Sequence, residues 1–269
     1  MVFADATEAL MWIVRLAAIG VLTVSLETLV QRRVLRDENL MSWRVGSLRQ
    51  VYLVRPPFGR WLDLVLGYPN VCGMLVLRGL LAAVLAAGPR ALVLSPWCLS
   101  AMALMLLLFT VRNPYGHDGA DQMAIIIFTS AAMATLAGGW AVKACLWFLG
   151  LQICLAYSTA GIAKATARGW LDGSYLVGIA ASQMYGHQEA ALFLSREPLI
   201  SRVLSISIFT WESLFPLVLV APRPVAYAMV ASGFLFHLSN GFLMGLNDFL
   251  WLFVATYPAL LYCIAARGF

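Results

Sequence analysis

Lys164 closes an apolar run, Gln152-Ile153-Cys154-Leu155-Ala156-Tyr157-Ser158-Thr159-Ala160-Gly161-Ile162-Ala163-Lys164, in a chain with two lysines and sixteen arginines. Gln152, Ala156, Ala160 and Lys164 recur at i, i+4 steps, so a helix would align them on one face, with Tyr157 and Gly161 on the adjoining edge. An amine placed there has two fates. It snorkels to the membrane surface, or it is walled off by a helix that approaches closely over the small Ala160 and Gly161. Dry surroundings favour the neutral form of an amine, which is the form that acts as a general base. Glu212 follows Trp211 in a later run, with Pro216 one turn on. His237 lies in the next, between Gly233 on one side and Asn240 or Gly241 on the other. It either meets a substrate or hydrogen-bonds across helices. Charge at bilayer depth costs roughly 3 kcal/mol and persists where it pairs or acts. Ionisable groups on three successive runs therefore point to a shared polar centre.

A second group occupies the connector Asn113-Pro114-Tyr115-Gly116-His117-Asp118-Gly119-Ala120-Asp121-Gln122. If a helix starts near Asp118, His117 and Asp121 lie close together and Asp118 caps the exposed N–H groups. The group then serves as a helix cap in a solvated loop, or as part of a site. Arg15, Glu27 and Arg78 fall in the first two runs, where Arg15 and Arg78 snorkel or form internal pairs. His117, Asp121, Glu212 and His237 are suitable metal ligands by type, yet no HExxH or EExxH pair fixes two of them on one element, so no metal centre is expected. Spacing supports nucleophilic hydrolysis no better. The five cysteines, Cys72, Cys98, Cys145, Cys154 and Cys263, form no CxxC and read as packing residues.

Composition dictates the elements that carry these side chains. Hydrophobic residues make up 62% of the 269 and charged residues 12%, and the mean hydropathy is +0.84. Soluble domains carry roughly a quarter charged residues. The chain reads as an all-α, polytopic membrane helix bundle, a single domain over 1–269. About eight transmembrane spans are expected, near 9–30, 72–90, 94–111, 121–141, 144–165, 203–221, 224–243 and 247–265. The first run leads into Gln31-Arg32-Arg33 rather than a cleavage site and is read as retained. Leu48 to Leu66 is amphipathic enough to lie in the interface plane, and 173–198 reads as an interfacial or re-entrant helix broken before Pro198. Lipid is thus the first partner. The net charge of +5 comes from basic residues beside spans, which membrane topology explains without nucleic acid. Arg32, Arg33, Arg36, Arg44, Arg49, Arg55, Arg60, Arg112, Lys164, Arg168, Arg196 and Arg202 fall on one side; Arg90, Lys143, Arg223 and Arg267 fall on the other. The fuller side is expected to be cytoplasmic, with both termini outside.

In order, these motifs resemble the transmembrane domain shared by vitamin K-dependent gamma-carboxylases and their bacterial relatives, the horizontally transferred transmembrane domain. The resemblance runs through Gln152-x4-Tyr157-x2-Ala160-Gly161-x2-Lys164-x5-Trp170-x-Asp172-Gly173, then Trp211-Glu212-Ser213-Leu214-Phe215-Pro216, then Phe234-x-Phe236-His237 to Met244-Gly245-Leu246-x2-Phe249, covering roughly 100–260. Asp118-Gly119-Ala120-Asp121-Gln122 is similar to the Asp-Gly-Gly-Glu-Gln of the sporulation-delaying protein B branch, whose members help produce a secreted peptide toxin. Lys164 agrees with the carboxylases instead. The resemblance implies a base at Lys164 acting on vitamin K hydroquinone or a related quinone, with His117 and His237 positioning quinol or oxygen intermediates. It sets Asp118, Asp121, Gln122, Tyr157, Trp170, Glu212 and Asn240 around the substrate. The extramembrane region that holds the peptide in the animal enzymes has no counterpart in these residues, so a quinone, lipid or small peptide is the expected substrate.

The same resemblance implies a protein of the bacterial inner membrane that modifies or matures an exported peptide, with a small secreted precursor and other membrane subunits as partners. The family's chemistry lies on the non-cytoplasmic side, opposite to the arginine count. The alternative is a non-catalytic component of a peptide-toxin production or immunity system, in which the same residues only pack the bundle. A transporter is disfavoured, because neither an inverted repeat nor a pair of broken helices is visible.

Overall fold

The computed structural model describes residues 5–50, 52–53, 55, 57–113, 118–183 and 186–267. All regular elements among the described residues are helical. The long helices, in chain order, are α1 (Ala6–Val30), α2 (Asn70–Ala87), α3 (Pro96–Arg112), α4 (Gly119–Ala137), α5 (Trp140–Ala165), α6 (Pro198–Leu214), α7 (Arg223–Met244), α8 (Asn247–Val254) and α9 (Tyr257–Ala266). Among the described residues six segments are long and apolar enough to cross a membrane: α1, α2, α4, α5, α6 with its 3-10 continuation to Leu219, and α8 with α9. Of the other two expected runs, one forms the shorter apolar α3. The other forms α7, 22 residues long, whose apolar pattern is diluted by His237, Ser239 and Asn240.

The chain divides into two compact units, residues 10–145 and residues 146–269 with the first nine. In the N-terminal unit, α3 and α4 pack as a pair, and both begin where the sequence offers a cap. Ser95 accepts from the Cys98 amide before Pro96 in the first turn of α3. Asp118 Oδ1 accepts from the amides of Ala120 and Asp121 at 2.9 and 3.1 Å and starts α4. Leu35, Val71, Leu75 and Phe109 form a buried cluster. Within the stretch read as amphipathic, the long helix is Phe58–Leu66: Gly59, Leu62 and Leu66 face inward while Phe58, Trp61 and Leu64 are exposed.

Arginines close the helix ends of this unit. Arg15 donates to the carbonyls of Ala86 and Gly88 at the end of α2. Arg112, only 1% exposed, donates to Leu66 O at 3.1 Å, to Leu35 O at 3.5 Å and to Asn113 Oδ1 at 2.7 Å. The last carbonyls of a helix lack partners within it, and a guanidinium supplies several donors at once. Arg15 therefore ties two helices together and does not snorkel.

In the C-terminal unit the stretch read as one interfacial helix is two, Ser174–Ala180 and Gln188–Arg196, and Pro198 opens α6 in its first turn. The final run also breaks at Ala255 and Thr256, ahead of Pro258 in the first turn of α9, because proline cannot donate to the preceding turn. Arg267 donates to the carbonyls of Val218 and Ala221, again closing a chain segment with a guanidinium.

Candidate functional site

Helix α5 carries its polar face against α6, and Gly161 sets their separation. A Cβ at this position would sit 2.5 Å from Ser213 N and 2.7 Å from Phe209 O, so backbone meets backbone there and only glycine fits. One turn further along α5, Lys164 Nζ donates to both oxygens of Glu212, at 2.7 and 2.6 Å. The lysine side chain is 23% exposed and the carboxylate 4%. As a unit the pair is neutral wherever its protons reside, which lowers the cost of placing it among apolar helices. Lys164 is thus held by a carboxylate partner rather than standing as an isolated dry amine.

Lys164 Nζ also lies 5.4 Å from the ring centre of Trp170, within cation–π range. Trp170 belongs to a tight turn that the Trp170-Leu171-Asp172-Gly173 sequence builds. Gly173 adopts φ +85, a left-handed conformation, and a Cβ on it would lie 2.6 Å from Arg202 N. Its carbonyl accepts from Ser201 Oγ at 2.8 Å, and the Trp170 carbonyl accepts from Ser205 Oγ at 2.6 Å. Asp172 Oδ1 accepts from the Ser174 amide at 2.8 Å. That bond, with further help from the Ser174 hydroxyl, holds the exposed Asp172 carboxyl below the usual carboxylate range. The turn is thereby pinned to the first turns of α6, the helix that also carries Glu212.

On the outer side of this turn runs an open, nearly apolar groove of about 360 Å³, lined by Trp170, Tyr175, Gly178, Ile179 and Ser182. A second groove of about 520 Å³ shares Ser182 and continues along Gln183, Gln188 and Ser195. The indole of Trp170 is common to the groove and to the surroundings of Lys164. Trp170 and Tyr175 are the aromatic residues of this groove and Gly178 and Ser182 its small ones, and they are the residues that would hold a flat ring such as that of a quinone.

His237 belongs to a separate cluster in the same unit. Its Nε2 lies 2.7 Å from the Tyr157 hydroxyl, which in turn lies 2.9 Å from the Tyr257 hydroxyl. The imidazole is 2% exposed, and its Nδ1 has no hydrogen-bond partner among the described residues. Trp211, Phe215 and Phe253 surround Tyr157, and Trp211 Nε1 donates to Ser232 at 3.0 Å. Tyr157 precedes Lys164 by seven residues, about 10 Å along a helix. The two polar groups are therefore adjacent levels of one helix packing rather than a single cluster. Asn240, one turn from His237 on α7, is partly buried.

Asp118, Asp121 and Gln122 belong to the N-terminal unit. Asp118 is the cap of α4 and Gln122 is exposed. His117 lies outside the described residues. Among the described residues no three His, Cys, Asp or Glu side chains gather in a way that would hold a metal ion.

Four participants are not singled out by the sequence. Ser201 and Ser205 are spaced i, i+4 on α6 and reach the Trp170 turn. Tyr175 stacks against Gly169, where a Cβ would collide with the ring. Tyr257 sits between Thr256 and Pro258 in a run that also carries Tyr262, and gives no periodic signal. A scan against protein-family models found no match to the chain, and searches of curated proteins and of solved structures found none either.

Proposed function

We propose that the C-terminal unit is the proton-transfer centre of a multi-pass membrane enzyme related to the vitamin K-dependent gamma-carboxylase transmembrane domain. In this reading α3 and α7 join the six membrane-length segments to give eight crossings. The observation that carries it is the short, largely buried contact between Lys164 and both oxygens of Glu212, beside an aromatic groove that shares Trp170. An ion pair of this kind accepts one proton in a defined way. When an acidic O–H in the groove ionises, its bond electrons stay on oxygen, and the proton passes to the pair, which goes from ammonium and carboxylate to ammonium and carboxylic acid. Lys164 is the accepting atom when its own proton has first crossed to Glu212. A bound quinol would supply the O–H. Trp170 and Tyr175 orient its ring, and His237 with Tyr157 positions polar groups one level away. The setting is a bacterial inner membrane, and the wider role is modification or maturation of a small exported peptide.

Anaerobic mixing with a short-chain naphthoquinol tests this. Wild-type protein is expected to generate the red-shifted absorbance of the quinolate, and Lys164→Arg and Lys164→Met are each expected to slow its formation at least about 100-fold at normal abundance. Undiminished quinolate formation in Lys164→Met would sink the proposal. The close backbone approach at Gly161 favours a second reading, a non-catalytic component of a peptide-toxin production or immunity system, in which the ion pair only fastens α5 to α6. That reading expects a Lys164→Met/Glu212→Leu double variant to keep full function.

A further inference from the structure

The Phe58–Leu66 helix of the N-terminal unit is apolar well beyond the face it buries. Leu62 and Leu66 join the buried Trp43 in a cluster backed by Leu108 and Val111, from the last two turns of α3. Polar contacts hold the helix at that level. Trp43 Nε1 donates to Asp63 Oδ1 at 2.8 Å, Gln50 Nε2 donates to Val111 O at 3.4 Å, and Arg112 Nε donates to Leu66 O. The helix is thus fastened where an apolar helix ends, which is the depth of lipid headgroups for a chain in a bilayer. On its outer side Phe58, Trp61 and Leu64 are exposed, and the rings of Phe58 and Trp61 stack at 5.7 Å. A face turned to water would be polar. Beside it Arg44, Arg49, Arg55 and Arg60 are all exposed, and Arg55 lies over the Tyr52 ring at 5.3 Å. Between residues 43 and 66 the sequence has no lysine, and its one acidic residue is the Asp63 that Trp43 engages. Retention of positive charge on one side of a membrane accounts for the sign of these residues. It does not account for the apolar face laid beside them, nor for guanidinium at every position.

We propose that residues 43–66 form a docking surface for anionic phospholipids. Phe58, Trp61 and Leu64 enter the boundary between headgroups and acyl chains, as aromatic and aliphatic side chains of interfacial helices do. Arg44, Arg55 and Arg60 meet the phosphates, whose paired oxygens match the fork of a guanidinium better than the point charge of an ammonium. A neutral bilayer would satisfy the apolar face alone and leave the cationic excess without partners. An anionic leaflet satisfies both. The proposal rests on the membrane setting of the chain and on no part of the chemistry assigned to Lys164.

The test is thermal unfolding of the full chain in neutral maltoside micelles doped with phosphatidylglycerol or with an equal mole fraction of phosphatidylcholine. Phosphatidylglycerol is expected to raise the midpoint by about 5 °C more than phosphatidylcholine, and about 1 M salt to remove most of that gain. The gain should vanish in the triple variant Arg44→Gln/Arg55→Gln/Arg60→Gln and survive in Arg196→Gln, an exposed arginine of the other unit. Equal midpoints with the two lipids overturn the proposal, as does a gain that persists in the triple variant or one that inorganic phosphate alone reproduces. A second copy covering the face would give a dimer in phosphatidylcholine micelles that Trp61→Gln splits, and that result also overturns it. Should the triple variant fail to fold, wild type decides: a phosphatidylglycerol gain lost at high salt supports the surface, and one that resists salt overturns it.

Discussion

Lys164 and Arg112 are each the basic residue in the last turn of a long apolar helix, and the two units treat them in opposite ways. Arg112 is sealed in and spends its donors on neutral oxygens of three chain segments. No proton can be exchanged profitably there, because the carbonyls do not titrate and guanidinium does not deprotonate in proteins. Lys164 keeps partial access and faces one carboxylate, with which it can trade a proton at no net change of charge. Identical position and sign thus give a fastener in one unit and a candidate reactive pair in the other. The partner determines the role.

Substitution at Arg112 should erase this contrast at the greatest cost. Arg112→Met is expected to destabilise the N-terminal unit by about 3 kcal/mol, since it strands buried carbonyls, and Arg112→Lys should recover little because one ammonium cannot span three segments. Denaturant unfolding in micelles would check both. Next is Glu212→Gln, expected to cost about 3 kcal/mol by leaving Lys164 without its counter-charge. The Lys164→Met/Glu212→Gln double variant should lose less than the two single changes summed, by roughly 1–3 kcal/mol in a double-mutant cycle. Strict additivity would show that the contact carries no coupling. Tyr257→Phe removes one hydroxyl from the buried chain and should cost about 1 kcal/mol in the same unfolding measurement.

The smallest effect concerns Asp172. Its carboxyl is held below the ordinary value of 3.8, so its contribution is complete above that pH and fades as pH falls further, through the folded-state value. Asp172→Asn is expected to flatten the acid limb of the stability profile below about pH 3.8 and to leave the neutral range nearly unchanged.

Part of this architecture is legible in the residues. The i, i+4 stripe ending at Lys164 marks the polar face of α5, and Gly161 marks where α6 approaches. Asp118 announces the start of α4 through its short acceptor side chain. The pairing of Lys164 with Glu212 rather than His237 is not legible, because helices apolar on nearly every face leave their rotation unspecified. The single break between 174 and 196 is hidden for a related reason: Leu192, Phe193 and Tyr175 suggest a continuous apolar face, while the interruption near Ser182 carries no proline. Ser201 and Ser205 give no warning because serines in an apolar helix usually satisfy themselves on their own backbone, whereas here they reach a neighbouring turn.

Because the main chains of α5 and α6 touch at Gly161, the two helices cannot part sideways at that level without collision on one flank or an empty slot on the other. Any route by which a reactant comes and goes must then be opened elsewhere. On the reading proposed above, a reactant reaches the ion pair from the side of the two short helices Ser174–Ala180 and Gln188–Arg196, whose surface carries the grooves.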